Sequence, residues 1–347
     1  MLFRNPFGVT KLLKMAQCFS SPSVVAVPKV FVLSKIPDLI EKLKLFALPG
    51  IQLKNIPILG TNIDEEDIDS LKEAEILVCD TDLLIKNYKN MPNLKWAHST
   101  WAGVQSLFKA FAKEPSFTIT RHGGDAFCGV MAEYVMCQIL ICERKFKLCW
   151  KNQQSKTWSN TNFSHRSLNQ ITVTILGAGN MGTAVANFLK LRGTTVLGFA
   201  RKPRPLHKND VFDKISNDLV EVIKDCDYLC NTLPSTPLTT GILNSSLLKN
   251  CQKSPVLINV GRGSLITEDE LVHALQNGTL SGAVLDVFEQ EPLPASSRLW
   301  DMPQVTITPH IATLSTAEHV AEEFFNSFSS YIDGHGLSNI LDWSAGY

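Results

Sequence analysis

Along the first third of the chain, short apolar runs alternate with segments whose apolar residues recur every three or four positions. "KVFVLS" (29–34), "IPILG" (56–60), "EILVCD" (75–80), "LKWAHST" (94–100) and "SFTIT" (116–120) have the length and β-branched content of strands. "IPDLIEKLKLF" and "DEEDIDSLKEA" carry the helical period. Strand–helix alternation of this kind predicts a parallel sheet covered on both faces. A long helical segment near 127–151 then predicts a crossing into a second domain. A second β/α series starts at "ITVTIL", with strands expected over 171–176, 194–200, 227–232, 256–260, 282–286 and 304–308.

Two helix starts have the capping-box pattern. Thr267 stands three residues before Glu270, with Gly278 past the helix end, and Ser315 stands three residues before Glu318. The helix after Ser315 follows the last strand, so it is expected to return to the first domain. The pattern therefore predicts an α/β protein of two doubly wound parallel-sheet domains, one discontinuous (28–125 and 314–347) with the other (126–313) inserted in it.

Gly177-Ala178-Gly179-Asn180-Met181-Gly182 lies where the second series turns from its first strand into a helix, the context that makes G-x-G-x-x-G a dinucleotide fingerprint. The inserted domain is thus expected to be a Rossmann nucleotide-binding fold. Its glycines permit the tight turn, the approach of a pyrophosphate and close helix–strand packing. About 20 residues on, an NAD site places a carboxylate for the ribose 2′-hydroxyl. "GFARKPRP" has Ala200 there, followed by Arg201, Lys202 and Arg204. Cations without the acid favour a 2′-phosphate, hence NADPH over NADH, with Arg201 and Lys202 as its ligands; the alternative is a solvated basic loop.

Three later strands end in polar groups: Arg262 in "INVGRGSL", Asp286 and Glu291 in "LDVFEQEPL", and His310 in "VTITPHIA". Ligands of doubly wound sheets bind outside the carboxyl ends of strands. A planar guanidinium suits a 2-oxo acid, His suits protonation of a developing alkoxide, and a carboxylate orients the His ring.

With these pieces, and with "LPSTPLTTGILN" and "GAVLDVFEQEPLP", the sequence resembles the D-isomer-specific 2-hydroxyacid dehydrogenase family over nearly everything after residue 28. "STWAGV", "MAEYV", "EPLPASSRLW" and the terminal "GY" resemble its glyoxylate/hydroxypyruvate reductase A branch. The resemblance implies a flavodoxin-like substrate domain, a homodimer, and reduction of a small 2-oxo acid substrate by hydride from NADPH. It also implies that Arg262 binds and polarises substrate, that Glu291 pairs with His310, and that His310 is the proton donor. Asp286 would receive the nicotinamide carboxamide. Leu233 and Pro234 would flank the cofactor. The loop Trp101, Ala102, Gly103 and Val104 would hold the substrate carboxylate. Phe127-Cys128 matches no substrate preference, and Trp101 and Trp158 are expected to pack as buried aromatics. A corepressor-like, dinucleotide-gated interaction module of the same fold is the alternative; an acid in place of Ala200 would favour it. Formate oxidation is disfavoured, because Glu291 stands where such enzymes carry Gln.

Composition narrows the partners. Lys+Arg and Asp+Glu both number 33 in 347 residues, which removes any global electrostatic attraction to nucleic acid or an anionic membrane. No apolar run nears the ~20 residues of a membrane span, and "VMCQILIC" (135–142) is expected to be a buried helix face. Nine cysteines include no CxxC pair and no zinc-site spacing, so no metal is expected. Cys137, Cys142 and Cys149 fall in one expected helix. Reduced core cysteines point to a reducing compartment. The first 37 residues contain no acid, which suits a mitochondrial transit peptide over 1–27. Pro6, Gly8 and a single Arg suit a plain tail on a cytoplasmic protein equally well.

Overall fold

The computed structural model describes residues 29–47, 50–58, 62–161 and 163–347, so the amino-terminal segment 1–27 lies outside the described residues. Five strands, β1 (Lys29–Leu33), β2 (Gln52–Asn55), β3 (Ile76–Cys79), β4 (Trp96–Ser99) and β5 (Thr118–Arg121), form one parallel sheet in the order β2-β1-β3-β4-β5, the flavodoxin-like arrangement. The interior strands are buried on both faces, so they read as continuous apolar runs. β2 lies four residues before the expected 56–60. Its residues QLKN are mostly exposed at the sheet edge, where burial imposes no apolar pattern, while the buried Ile56 follows the strand into the core.

One face of this sheet is covered by α1 (Leu39–Phe46) and by a helix from the far end of the chain, Ala317–Ile332. That helix stacks Phe324 on Trp96 at 5.2 Å and Tyr331 at 5.3 Å, so the last helix does return to the first sheet. Its cap is Thr316, whose hydroxyl accepts from His319 N at 3.3 Å. Ser315, the expected cap, instead donates to Thr100 O at 2.6 Å and ties the helix start to the end of β4. At Thr267 the cap forms as expected, but Glu270 does not close the box; it accepts from Ser245 N at 2.7 Å.

Glu323 is the helix's buried anchor. It accepts from Gly123 N (3.1 Å) and Asn339 Nδ2 (2.9 Å) and meets His122 Nδ1 at 2.5 Å. Burial pushes its carboxyl upward, but His122 and the Gly123 N–H outweigh this and hold it down at about 2. A carboxylate held below its ordinary range stabilises the fold above that range, and the contribution is lost as pH falls through the depressed value. Glu323→Gln is expected to cost about 3 kcal/mol near neutral pH. It should also flatten the loss of stability between pH 4.5 and 2; urea unfolding across that range tests both.

Beyond β5 the chain enters α2 (Asp125–Glu143) and α3 (Phe146–Gln154). The expected single helix is broken at Lys145, whose φ of 55° is left-handed, so Cys149 is separated from Cys137 and Cys142. By length and composition α2 could cross a membrane. Here Met131, Val135 and Ile139 pack instead against Val185, Ala186 and Leu189 of the helix after the glycine turn, so it is a core helix. Seven parallel strands follow: β6 (Thr172–Leu176), β7 (Thr195–Phe199), β8 (Lys214–Ser216), β9 (Tyr228–Asn231), β10 (Val256–Asn259), β11 (Gly282–Leu285) and β12 (Val305–Ile307). Their order is β12-β11-β10-β9-β6-β7-β8. Strand order reverses between β6 and β9, the switch point where dinucleotides bind in Rossmann sheets. The three-residue edge strand β8 has no sequence signal, and Trp158, expected in the interior, is fully exposed.

Candidate active site

The glycine turn lies at the switch point. Gly177 has φ 106°, a conformation that only glycine adopts freely. A Cβ on Gly182 would stand 1.9 Å from Gly177 O, so helix Asn180–Lys190 starts hard against β6. A Cβ on Gly179 would meet nothing within 4 Å, which leaves open space above the first turn. The N–H groups there have no intrahelical acceptor and suit a pyrophosphate. Met181 turns its side chain toward the core. Leu233 and Pro234 follow β9 and lie beside the turn: Leu233 N is 3.3 Å from where a Gly177 Cβ would be. A dinucleotide therefore fits the residues present.

In the basic loop, Ala200 directly follows β7 and donates to Ser216 O at 3.0 Å. Arg204 is held by Asp210 through both terminal nitrogens, and Asp210 also accepts from Phe212 N, so this arginine braces its own loop. Arg201 and Lys202 are exposed and enter no ion pair among the described residues, which leaves two cations for an anion.

Arg262, Glu291 and His310 come together at a cavity of about 340 Å³, also lined by Gln105, Ser264 and Phe288. His310 Nδ1 lies 2.7 Å from Glu291 Oε2, and Glu291 Oε1 accepts from Phe288 N at 2.9 Å. The carboxylate is thereby fixed from both sides, and Nε2 is the ring nitrogen not engaged by it. His310 has φ 55°, a costly conformation for a non-glycine residue. Asp286 stabilises it. Its carboxylate accepts from Thr308 Oγ1 (2.6 Å), Ile311 N (2.9 Å) and Ala312 N (2.9 Å), and its carbonyl accepts from His310 N (2.9 Å). At 2% exposure, Asp286 braces the His310 loop through these contacts, a role additional to the carboxamide contact that the resemblance implies for it. Tyr134 of α2 joins the same chain through Thr308 at 2.6 Å, and burial pushes its phenol up to about 12.

Arg262 is set by two buried amides that the sequence reading passed over. Asn231 ends β9 and donates to Asn259 Oδ1 at 2.8 Å; Asn259 ends β10 and donates to Arg262 O at 3.1 Å. Both stand at the end of apolar runs, "YLCN" and "VLIN", which is the signal that could have found them. The Arg262 guanidinium then reaches the first sheet: a Cβ on Gly103 would lie 2.7 Å from Nη2. The Ala102, Gly103 and Val104 N–H groups meet no acceptor among the described residues. Trp101 is 39% exposed at the same loop, not packed in the core. Burial pushes the Arg262 pKa down, and a second guanidinium, Arg121 at the end of β5, adds to this. The cleft between the sheets is therefore cationic around one His–Glu pair. It can hold a carboxylate, polarise a neighbouring oxygen and deliver a proton.

Comparison with known proteins gives the family. The family model described as D-isomer specific 2-hydroxyacid dehydrogenase, NAD binding domain, matches residues 136–312. A D-isomer specific 2-hydroxyacid dehydrogenase family protein from Aeromonas salmonicida is 31% identical, covers 91% of this chain and 99% of its own, and superposes with a TM-score of 0.77. An NADPH-dependent glyoxylate/hydroxypyruvate reductase from Sinorhizobium meliloti, solved with NADP and sulfate, is 29% identical over 92% of this chain and 100% of its own, with a TM-score of 0.75. A D-isomer specific 2-hydroxyacid dehydrogenase from Xanthobacter autotrophicus, solved with NADPH and MES, is 26% identical over 93% and 100%, with a TM-score of 0.79. With fold, switch-point turn and family model in agreement, the chain belongs to the D-isomer specific 2-hydroxyacid dehydrogenase family.

Proposed function

We propose that this NAD(P)-dependent dehydrogenase works as an NADPH-dependent reductase of glyoxylate and hydroxypyruvate, giving glycolate and D-glycerate. The observation that carries the reading is the His310–Glu291 pair facing Arg262 across one small cavity beside the 101–104 loop. The N–H groups of residues 102–104 take the substrate carboxylate, and Arg262 holds it and polarises the adjacent carbonyl. Bound NADPH supplies the hydride. His310 gives the proton to the carbonyl oxygen as negative charge develops there, and Glu291 keeps the imidazole ring aimed at it. Gly103 leaves room for Arg262 at the loop. Asp286 keeps His310 in its strained conformation.

NADP(H) is favoured by Arg201 and Lys202 beside Ala200, and two of the related structures were solved with that cofactor. The two sheets support a functional division into 28–125 with 314–347 for substrate and 126–313 for cofactor. Exposed Phe146 and Trp150, ring centroids 6.0 Å apart on α3, support a homodimer formed through the nucleotide-binding body.

A substrate panel run with NADPH and NADH in parallel tests the reading. The expected result is highest kcat/KM for glyoxylate or hydroxypyruvate with NADPH. Turnover confined to other 2-oxo acids would remove the substrate assignment, and equal use of NADH would remove the cofactor assignment.

A further inference from the structure

The last residues of the chain belong to the five-stranded body but lie against the nucleotide-binding one. Arg121 N donates to Asn339 O and Leu341 N to Ile119 O, both at 3.0 Å, which adds an antiparallel bridge between Ile340 and Thr120 at the edge of β5. Trp343 then packs edge-on to Phe108 at 4.7 Å and so fixes the segment to the substrate-side core. On its other side Asn339 Oδ1 accepts from Asn180 Nδ2, in the glycine turn, at 3.1 Å. Past Trp343 the backbone closes on itself: Gly346 N donates to Asp342 O and Asp342 N to Tyr347 O, both at 2.9 Å. This turn sets the Tyr347 ring against Arg201, whose Cζ lies 6.0 Å from the ring centroid.

We propose that Tyr347 is a positioning residue for the cofactor's 2′-phosphate: its ring holds the Arg201 guanidinium at the end of β7, and the carboxyl-terminal segment thereby completes the nucleotide pocket from the opposite body. The proposal rests on the NADP(H) reading of the basic loop. A ring takes a guanidinium through its face and leaves the N–H edge available to an anion. An exposed arginine must give up rotamer freedom to bind a phosphate, and prior stacking lowers that cost. Arg201 needs such support because nothing else in its loop supplies it. Arg204 is held by Asp210, whereas Arg201 has no carboxylate within ion-pair distance among the described residues. Asp342, in the same turn, has its carboxyl lowered by the Ser344 hydroxyl first and by the Arg201 charge as well, in keeping with a guanidinium resident at the segment.

Fluorescence titration of the full chain with NADPH and, separately, NADH tests this. In Tyr347→Ala the NADPH-to-NADH affinity ratio is expected to fall about five-fold, and Tyr347→Phe, which keeps the ring, should retain the wild-type ratio. In an Arg201→Ala background, Tyr347→Ala should change the ratio no further. An unchanged ratio in Tyr347→Ala, or equal weakening of both cofactors with a lowered melting temperature, would overturn the proposal and leave the cofactor reading standing. A wild-type protein without NADPH preference would overturn both.

Discussion

His310→Ala is expected to lower kcat by roughly 10³–10⁴-fold while NADPH still binds with its wild-type dissociation constant. The ring stands at the cavity, its Nδ1 is taken by Glu291, and it supports no backbone group: the contacts that maintain the loop run from Asp286 to the His310, Ile311 and Ala312 amides. Removing the side chain therefore takes away the proton donor and leaves the scaffold. Ala keeps the Cβ that makes φ 55° costly, so the strain there is unchanged and the variant is expected to melt close to wild type. Steady-state rates beside a binding titration separate the two roles. Loss of NADPH affinity together with turnover would make His310 a structural residue and would sink its assignment as the acid. Glu291→Gln makes the complementary case. It keeps a hydrogen-bonding partner for the ring, so its loss of kcat should be smaller than that of His310→Ala.

The second large effect is expected at the end of β7. Ala200→Asp with Arg201→Ala should reduce the preference for NADPH over NADH by about a hundred-fold or more. A charge-assisted contact to a phosphate contributes about 1.5–3 kcal/mol. The new carboxylate would add repulsion against the 2′-phosphate while offering the ribose hydroxyl an acceptor. Comparison of kcat/KM for both cofactors, with one substrate held constant, measures the change. A ratio that moves less than three-fold would mean that this loop is only a solvated surface. Replacing Arg204 offers an internal contrast, because its guanidinium is already taken by Asp210 and braces the loop.

The legible parts of this protein were those where burial dictates residue type. Interior strands such as β3 and β10 must be apolar on both faces, so "ILVC" and "VLIN" stood out. The edge strands β2 and β8 did not, because solvent on their flanks leaves Gln52, Lys54 and Lys214 acceptable. The break at Lys145 escaped notice because a left-handed residue needs no glycine when the surrounding structure holds it, and Lys carries no turn signal. At the site, Arg262, Glu291 and His310 were visible as polar residues in the segments that follow apolar strands. Their supports were not. Asn231, Asn259, Thr308 and Tyr134 act through contacts between elements distant in sequence, and a linear reading has no register for these. Asp286 shows the same limit: its position at a strand end suggested a ligand contact, while its hold on the Ile311 and Ala312 amides depends on the path of the His310 loop.

The return of helix Ala317–Ile332 to the first sheet has a consequence for the order in which the protein can be completed during synthesis. Strands β1–β5 leave the ribosome early, yet Trp96 acquires Phe324 and Tyr331 only after roughly 200 further residues have been added. At about 5–20 residues per second that is an interval of roughly 10–40 s. Through that time the amino-terminal sheet has one face without its final cover, whereas the seven-stranded body is made continuously and can close as soon as β12 emerges. The later-made body is thus the first to be complete, and the earlier one waits for helix Ala317–Ile332.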